Sequence, residues 1–296
     1  MPLNYVCIKS ITLEKIKMKN KIISGLLITL LSVGSTIANA TILYGVSGAG
    51  NGSASSLYTI DTVTGAATLI GATGFDEVTS IDFNSVTGIL WGISNETKEL
   101  ITIDTTTGLG TAVATMTWGR NSPDMSFDSS GVLYTWSEPS PDTLNTVNLV
   151  TGATTEIGPN SIGTSQLGLD INSSDIVYVK NADGDIYTID KVTGAETFVI
   201  NIDSTGIFDN ILAFDPNDVL YTVDRLGSGG GSTESNLYTI DLLTGATTLI
   251  GATGVGTLSA LAFAPTLANP VPEPTTLVLL GLGLAGLGFS KRRKNK

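Results

Sequence analysis

The chain has 296 residues, of which 14% are charged and 34 are glycine, and its formal net charge is −12 at pH 7. It contains no histidine and a single cysteine, Cys7. These counts exclude a Ser–His–Asp triad, a Cys–His nucleophile, an intramolecular disulfide and the usual zinc site with nitrogen and sulfur ligands. Residues 41–270 hold 5 basic and 25 acidic side chains, and a segment of that charge repels nucleic acid and anionic membranes.

The first 40 residues predict a secretory signal. Lys19 and Lys21 supply a basic start, residues 22–33 form an apolar stretch, and Ala38 and Ala40 form an A-x-A cleavage site. We expect signal peptidase to cut after Ala40. An uncleaved signal anchor is the alternative interpretation.

The leader, residues 1–40, contains two candidate start sites. Met18 begins a better-formed signal than Met1 does, so Met18 is a candidate for the true start. Cys7 lies inside this leader. We therefore expect the mature protein to contain no thiol.

Beyond the leader, five segments repeat one pattern, in which Leu-Tyr-Thr-Ile-Asp or a close variant is followed by a turn that ends in Thr-Gly. The acid or amide at the end of each segment can cap local backbone N–H groups, and the glycine can adopt a positive φ. The segments are Leu57–Asp61, Leu100–Asp104, Leu144–Asn148, Ile186–Asp190 and Leu237–Asp241, and the turn glycines are Gly65, Gly108, Gly152, Gly194 and Gly245.

A second set of strands is marked by an aromatic residue that follows Leu or Val. The aromatic residues are Tyr44, Trp91, Tyr134, Tyr178 and Tyr221. Upstream of each except the first lies another short strand that ends in Asp or Asn, at 80–84, 125–128, 167–170 and 212–215. A further short strand follows each turn glycine, as at residues 67–71, so each unit has four short strands in about 43 residues, which is typical of a propeller blade.

The ends of the repeat suggest how it closes. The first unit lacks its first strand, and residues 258–264 supply an unpaired strand of the missing pattern. We predict that this strand pairs with residues 42–46, which hides the edges that a linear array exposes. The prediction is an all-β, five-bladed β-propeller over residues 41–266, with four strands per blade; an open solenoid is the alternative.

The first strand of each blade is expected to lie nearest the propeller axis, where space is short and small side chains are required. Asp82 is the exception among the residues at this position, and it is either a ligand-binding group in the pore or a polar group satisfied by the protein. The predicted axial residues are Asp82, Ser126, Gly168, Ala213 and Ala262.

The C-terminus has three consecutive parts. Residues 267–274 form a linker that ends in Pro272, Glu273 and Pro274, residues 275–290 form the predicted transmembrane helix, and residues 291–296 form a basic tail. The apolar run, from 275 to 289, is short for a span of about 20 residues. A basic tail stays cytoplasmic, so we expect the exported chain to pause with this tail at the inner membrane. The charged residues of the tail include Lys291, Arg292, Arg293 and Lys294.

This arrangement resembles the PEP-CTERM sorting signal, whose members carry a Pro-Glu-Pro motif, a short Gly/Leu-rich membrane segment and a basic tail. The resemblance implies recognition of Pro272, Glu273 and Pro274 by an exosortase, a membrane cysteine transpeptidase of Gram-negative bacteria that make exopolysaccharide. It also implies removal of the signal and release of the body or its attachment at the cell surface. An ordinary C-terminal anchor is the alternative.

The repeat itself is similar to a family of secreted bacterial repeats of the type Leu-Tyr-x-Ile-Asp-x-x-Thr-Gly-Ala-x-Thr-x-Ile-Gly. That motif is structural, so the resemblance implies a fold and assigns no activity. It extends over roughly residues 41–266.

Chemical groups suited to a site are few. The repeated acids stand at turns, where a structural role is expected, whereas Glu77, Asp82 and Asp124 depart from the repeat. Asn181, Asp183 and Asp185 surround a glycine as in part of a calcium loop, but the downstream glutamate ligand is missing. A polar hairpin turn is the other interpretation, and we expect no cofactor.

The sequence therefore predicts an exported, exosortase-sorted protein of the cell surface or extracellular matrix, without enzymatic activity. We expect it to bind polysaccharide or another protein in an envelope or biofilm, and not nucleic acid. The alternative is a secreted glycosidase or lyase that uses propeller carboxylates, since two such groups suffice for glycan cleavage.

Overall fold

The computed structural model describes residues 41–48, 54–117, 124–137, 143–159, 168–202, 211–224 and 234–265. Within these ranges it contains strands and turns, with no helix of the length and apolarity needed to cross a bilayer. The predicted signal peptide, the linker from 267 and the predicted membrane helix at 275–290 lie outside the described residues.

The described strands form five four-stranded antiparallel sheets, which are the predicted five blades. Blade 1 contains β20 (Leu258–Phe263), β1 (Leu43–Ser47), β2 (Ala54–Ile60) and β3 (Ala67–Asp76). Blade 2 contains β4 (Val78–Asn84), β5 (Ile89–Ser94), β6 (Glu99–Ile103) and β7 (Gly110–Thr115), and blade 3 contains β8 (Met125–Phe127), β9 (Leu133–Ser137), β10 (Thr143–Val147) and β11 (Thr154–Pro159). Blade 4 contains β12 (Gly168–Ile171), β13 (Val177–Lys180), β14 (Asp185–Ile189) and β15 (Glu196–Asn201), and blade 5 contains β16 (Ala213–Phe214), β17 (Leu220–Val223), β18 (Asn236–Ile240) and β19 (Thr247–Ala252).

The C-terminal strand closes the ring as predicted. β20 pairs antiparallel with β1, with Phe263 opposite Leu43 and Ala260 opposite Val46. β20 also packs beside β4 of blade 2 and β16 of blade 5. The N-terminal and C-terminal strands of the described chain thus share one blade, and the open solenoid is wrong.

Aromatic residues join neighbouring blades. A residue at or near the end of each first strand packs against the aromatic residue that the second strand of the preceding blade carries. At the boundary of blades 3 and 4 the pair is Ile171 with Tyr134. Aromatic pairs of this geometry contribute about 0.5–1.5 kcal/mol beyond their buried area. The ring-centroid distances are 5.4 Å for Tyr44–Phe83, 6.2 Å for Trp91–Phe127, 5.0 Å for Tyr178–Phe214 and 5.0 Å for Tyr221–Phe263.

The recurring Thr-Gly turns form a second contact between blades, near the rim. Gly65 has a φ of +80°, and a Cβ there would stand 2.5 Å from the carbonyl oxygen of Gly251 on the neighbouring blade. Beside it, the N–H of Ala67 donates to the carbonyl of Thr253 at 3.0 Å. Glycine is needed here for two reasons, a left-handed backbone and the close approach of the adjacent blade.

The acid before each turn has the structural role that its recurrence predicts. Asp61 Oδ1 accepts hydrogen bonds from the backbone N–H groups of Val63 and Thr64, both at 2.8 Å. These bonds lower the pKa of Asp61, because they stabilise its ionised form. Asp104, Asp190 and Asp241 form the same cap, and Asn148 does so with an amide oxygen.

Candidate functional site at the axial cavity

The first strands of the five blades surround a cavity of about 180 Å³ that opens where these strands end. The residue opposite the aromatic position of the second strand faces the axis in each blade. This register pairs Asp82 with Trp91, Ser126 with Tyr134, Asp170 with Tyr178, Ala213 with Tyr221 and Ala262 with Tyr44.

The predicted axial set is wrong in blade 4. Gly168 pairs with Lys180, and Asp170 occupies the axial position instead. Aligning the blades on the first residue of the following turn, Asn172 in this blade and Asp128 in blade 3, would have found it. The axial positions therefore carry two carboxyl groups where the sequence predicted one.

Asp82 and Asp170 are bridged by a serine that stands between them. Ser126 Oγ lies 3.0 Å from Asp82 Oδ2 and 2.7 Å from Asp170 Oδ1. A hydroxyl has one hydrogen and donates to one acceptor at a time. Both contacts are hydrogen bonds when one of the two carboxyl groups carries a proton and donates it to Ser126.

The electrostatics of the cavity agree with a retained proton. Removal from bulk water raises the pKa of Asp82, and the nearby charge of Asp170 raises it further. The pKa of Asp170 is also raised by burial, against the opposing effect of its hydrogen bond from Phe214. A carboxyl pair so close together shares a proton more readily than it holds two negative charges.

The same carboxyl groups tie successive blades together. Asp82 Oδ2 accepts the backbone N–H of Phe127 at 2.7 Å, and Asp170 Oδ2 accepts that of Phe214 in blade 5. Asp124 is buried and accepts the N–H of Leu169 at 2.9 Å, so it links blades 3 and 4, and its burial raises its pKa. Asp82 is thus a polar group satisfied by the protein, and it also lines the pore.

Polar clamps between turns surround the mouth of the cavity. Asp175 accepts hydrogen bonds from both the N–H and the Oγ of Ser129 in the preceding blade, at 2.8 and 2.6 Å. Asp218 contacts Ser173 in the same way, at 2.8 Å for both bonds. Both aspartates have positive φ values, 62° and 61°, which are unusual for residues other than glycine. These clamps could not be predicted from the sequence, because the two partners of each stand 45 or 46 residues apart along the chain.

The predicted calcium residues lie in the turn from β13 to β14. Asn181 Oδ1 accepts the backbone N–H groups of Asp183 and Asp185 at 3.0 and 2.9 Å, as in a polar hairpin turn. Asp185 Oδ1 also accepts from Asn201 Nδ2 at 2.7 Å. Within the described ranges, no three His, Cys, Asp or Glu side chains converge as metal ligands do. Calcium binding at this turn stays a prediction.

Other predicted residues fall in two groups. Glu77, which departs from the repeat, has a φ of 50° at the junction of β3 and β4, away from the cavity lining. The processing residues all lie outside the described part of the chain: Ala38, Ala40, Pro272, Glu273, Pro274, Lys291, Arg292, Arg293 and Lys294.

Comparison with known protein families identifies a sorting motif at the C-terminus. Residues 270–294 match the PEP-CTERM protein-sorting motif, as predicted from Pro272–Pro274 and the parts that follow. The sequence matches no curated protein.

Solved structures that resemble the chain show the fold alone. A chain of a nidogen/laminin complex superposes with a TM-score of 0.53 at 11% identity, over 76% of this chain and 98% of that one. A structural-genomics protein of unknown function from Bacteroides thetaiotaomicron superposes with a TM-score of 0.50 at 14% identity, over 77% of this chain and 66% of that one. The sorting motif implies processing by an exosortase and export to the cell surface.

Proposed function

We propose that the exported propeller is a non-enzymatic binding protein of the cell surface or extracellular matrix, which takes a glycan of the envelope or biofilm at its axial cavity. The cavity has a polar side formed by Asp82, Ser126 and Asp170 and an apolar side that includes Leu261 and Ala262. A pyranose ring has the same division into hydroxyl groups and an apolar face. The cavity volume of about 180 Å³ is sufficient for one small ring of this kind.

The charge of the cavity narrows the ligand class. Asp175 and Asp215 join the two axial carboxyl groups in its lining, whereas no basic side chain among the described residues lines it. An anionic sugar would be repelled at this mouth, since the dielectric is low and the charges are close. The ligand is therefore proposed to be a neutral or amino-substituted glycan.

The hydrogen bonds of Asp82 and Asp170 support the proposal that the protein is not an enzyme. All four carboxyl oxygens of Asp82 and Asp170 already form hydrogen bonds with N–H or O–H groups of the protein. A general acid or nucleophile needs an oxygen free to approach the substrate. These contacts support a structural and binding role.

A glycan-cleaving enzyme is the second candidate, and two observations favour it. The two carboxyl groups face the same cavity and are joined through a single hydroxyl, with a 3.0 Å and a 2.7 Å contact. Retaining glycosidases place their two carboxyl groups about 5–5.5 Å apart. Two carboxyl groups that both contact the Ser126 hydroxyl can have this separation. The raised pKa of Asp82 is also what a general acid requires.

The deciding experiment is a glycan array with purified residues 41–270, followed by turnover assays on each glycan that binds. We expect binding without product. Ser85→Trp, an exposed position at the mouth, should weaken binding at least tenfold by blocking access, whereas Glu96→Trp should leave it unchanged. Turnover that Asp82→Asn and Asp170→Asn abolish would establish the enzyme instead, and full binding by Ser85→Trp would place the ligand elsewhere.

A further inference from the structure

Exposed apolar side chains are concentrated at one end of the propeller. In each blade the first and third strands run in the same direction, because each is antiparallel to the second strand between them. The turns that follow them therefore lie at one end, which we call the exit face. The exit face comprises the turns between first and second strands and between third and fourth strands, and the cavity opens there.

Two rings of apolar residues occupy the exit face. One residue at the start of each second strand is 39–47% exposed: Ile42, Ile89, Val132, Ile176 and Val219. The tips of four of the five turns between third and fourth strands are 82–91% exposed: Val63, Val150, Val192 and Leu243. Four large aliphatic side chains at equivalent positions are thus almost fully exposed on the same face as the second ring.

The fold does not require apolar residues at the turn tips. In blade 2 the equivalent residue is Thr106, and its N–H donates to Asp104 at 2.8 Å, just as that of Val63 donates to Asp61 at 2.8 Å. The turn is thus formed by backbone and cap alone. Valine and leucine at the other tips add exposed apolar surface without adding packing.

The chain leaves the propeller at this same face. β20 runs toward it, and Ala264 and Pro265, which follow β20, line the mouth of the cavity. The sorting motif begins at residue 270, and the apolar run begins at residue 275. Ten residues from Pro265 span about 35 Å at most when fully extended. While the sorting segment is attached, its tether therefore begins on the exit face.

We propose that the exit face docks on the surface of a zwitterionic aminophospholipid bilayer before the sorting segment is removed. The apolar tips reach into the interface between headgroups and acyl chains, as the apolar face of a peripheral protein does. A capping carboxylate stands two residues before the tip in four of the turns, at Asp61, Asp104, Asp190 and Asp241, and these ionised groups complement the ammonium groups of such lipids. The proposal depends on the sorting motif and is independent of glycan binding.

A second copy of the chain is the competing occupant of the exit face. Two exit faces in contact would bring two rings of carboxylates together. Lys191 already pairs with Asp128 of its own chain at 3.1 Å, so its charge is engaged there. Like charges brought together at an interface oppose association. Charge therefore favours the lipid surface over a dimer.

The test uses the full chain with Glu273→Ala, which retains the sorting segment, in vesicles of phosphatidylethanolamine and phosphatidylcholine. Cys7→Ser leaves a protein without thiols, so one fluorophore sensitive to polarity can be placed at Thr106→Cys on the exit face or at Glu96→Cys on the opposite face. We expect a blue shift of emission at position 106 and none at position 96. Equal shifts at both positions, or none at position 106, would overturn the proposal.

A matched set of substitutions separates docking from tethering. Changing Val63, Val150, Val192 and Leu243 to threonine copies the natural tip of blade 2, so the fold should be retained and the shift at position 106 lost. The control changes Leu69, Phe198 and Leu249, which are exposed on outer strands, to threonine and should keep the shift. Vesicles with anionic lipid should reduce it. If the protein forms a dimer in detergent and the four tip substitutions dissociate it into monomers, the exit face is an interface with a second copy, which would contradict the proposal.

Discussion

The backbone N–H of Phe127 donates a 2.7 Å hydrogen bond to Asp82 Oδ2 across the boundary between blades 2 and 3. The acceptor is one of three buried or axial aspartates that each receive an N–H group from the next blade, the others being Asp124 and Asp170. Three consecutive boundaries are thus tied near the axis by carboxyl groups. The stability of the ring consequently depends on the protonation of these groups.

We expect the free energy of unfolding to fall as the pH rises toward 8. Burial raises the pKa of Asp82 from 3.8 to about 8, so over this interval the folded state binds more protons than the unfolded state does. Stability then decreases with pH, and the contribution of the neutral form is lost as the pH passes the folded pKa. Urea unfolding of residues 41–270 at about pH 5 and about pH 8.5 measures the slope.

The control for this slope is Asp82→Asn, which carries no titratable proton. The variant should lower the free energy of unfolding by about 1–3 kcal/mol at pH 5. Asp82 accepts the N–H groups of Phe83 and Phe127 on its two oxygens, and asparagine has only one side-chain oxygen to accept them. The variant should also reduce the pH dependence. A slope that is the same in the variant and the parent would contradict the assignment to Asp82.

The clamp between Asp175 and Ser129 predicts a measurable coupling. Gly131 occupies the position of Asp175 in the turn of blade 3, so Asp175→Gly removes the carboxylate and relieves the strain of the positive φ at once. Because the pair is exposed, we expect a coupling free energy of only about 0.5–1 kcal/mol in a double-mutant cycle with Ser129→Ala. Additive effects of the two changes would show that the clamp contributes nothing to stability.

Gly65→Ala should destabilise the protein by more than about 1 kcal/mol, since the backbone has a φ of +80° and the new Cβ would collide with Gly251. Val63→Ala, in the same turn but exposed, is the matched control and should be close to neutral. Thermal and urea unfolding of both variants give the comparison. Equal stability of the two would mean that the neighbouring blade yields to the added carbon.

The closing strand predicts the outcome of a truncation. A chain that ends at residue 256 lacks β20, which is the inner strand of blade 1, and should not unfold as one cooperative unit. A chain that ends at residue 270 contains every strand and should do so. Near-ultraviolet circular dichroism with urea unfolding distinguishes the two, and a cooperative transition in the shorter chain would show that closure is dispensable.

The sorting motif predicts that Glu273→Ala or Pro272→Ala blocks processing in a host that has the exosortase. The uncleaved protein should stay in the membrane fraction at a higher mass, because its apolar segment is retained. Thr275→Ser, at the first residue of the apolar run, should be processed as usual. Normal processing of the Glu273→Ala protein would argue for an ordinary anchor.

Much of the fold could be predicted from local patterns. The cap of Asp61 on Val63 and the positive φ of Gly65 depend on residues within one turn, so the repeat alone indicated them. The role of residues 258–264 was also predictable, because their pattern completed a unit that lacked its first strand. Asp170 was missed because counting from the strand instead of from the turn displaced the register by two residues.

The sequence by itself determined the short strands, their turns, the number of blades and the ordered signal at the C-terminus, since each depends on residues that are close together along the chain. Only the tertiary structure decided which side chains meet across blades. Ser126 lies 44 residues from both Asp82 and Asp170, and Asp175 lies 46 residues from Ser129. Such pairs form when the ring closes and brings equivalent positions of successive blades together. The axial carboxyl pair and the apolar exit face therefore follow from closure.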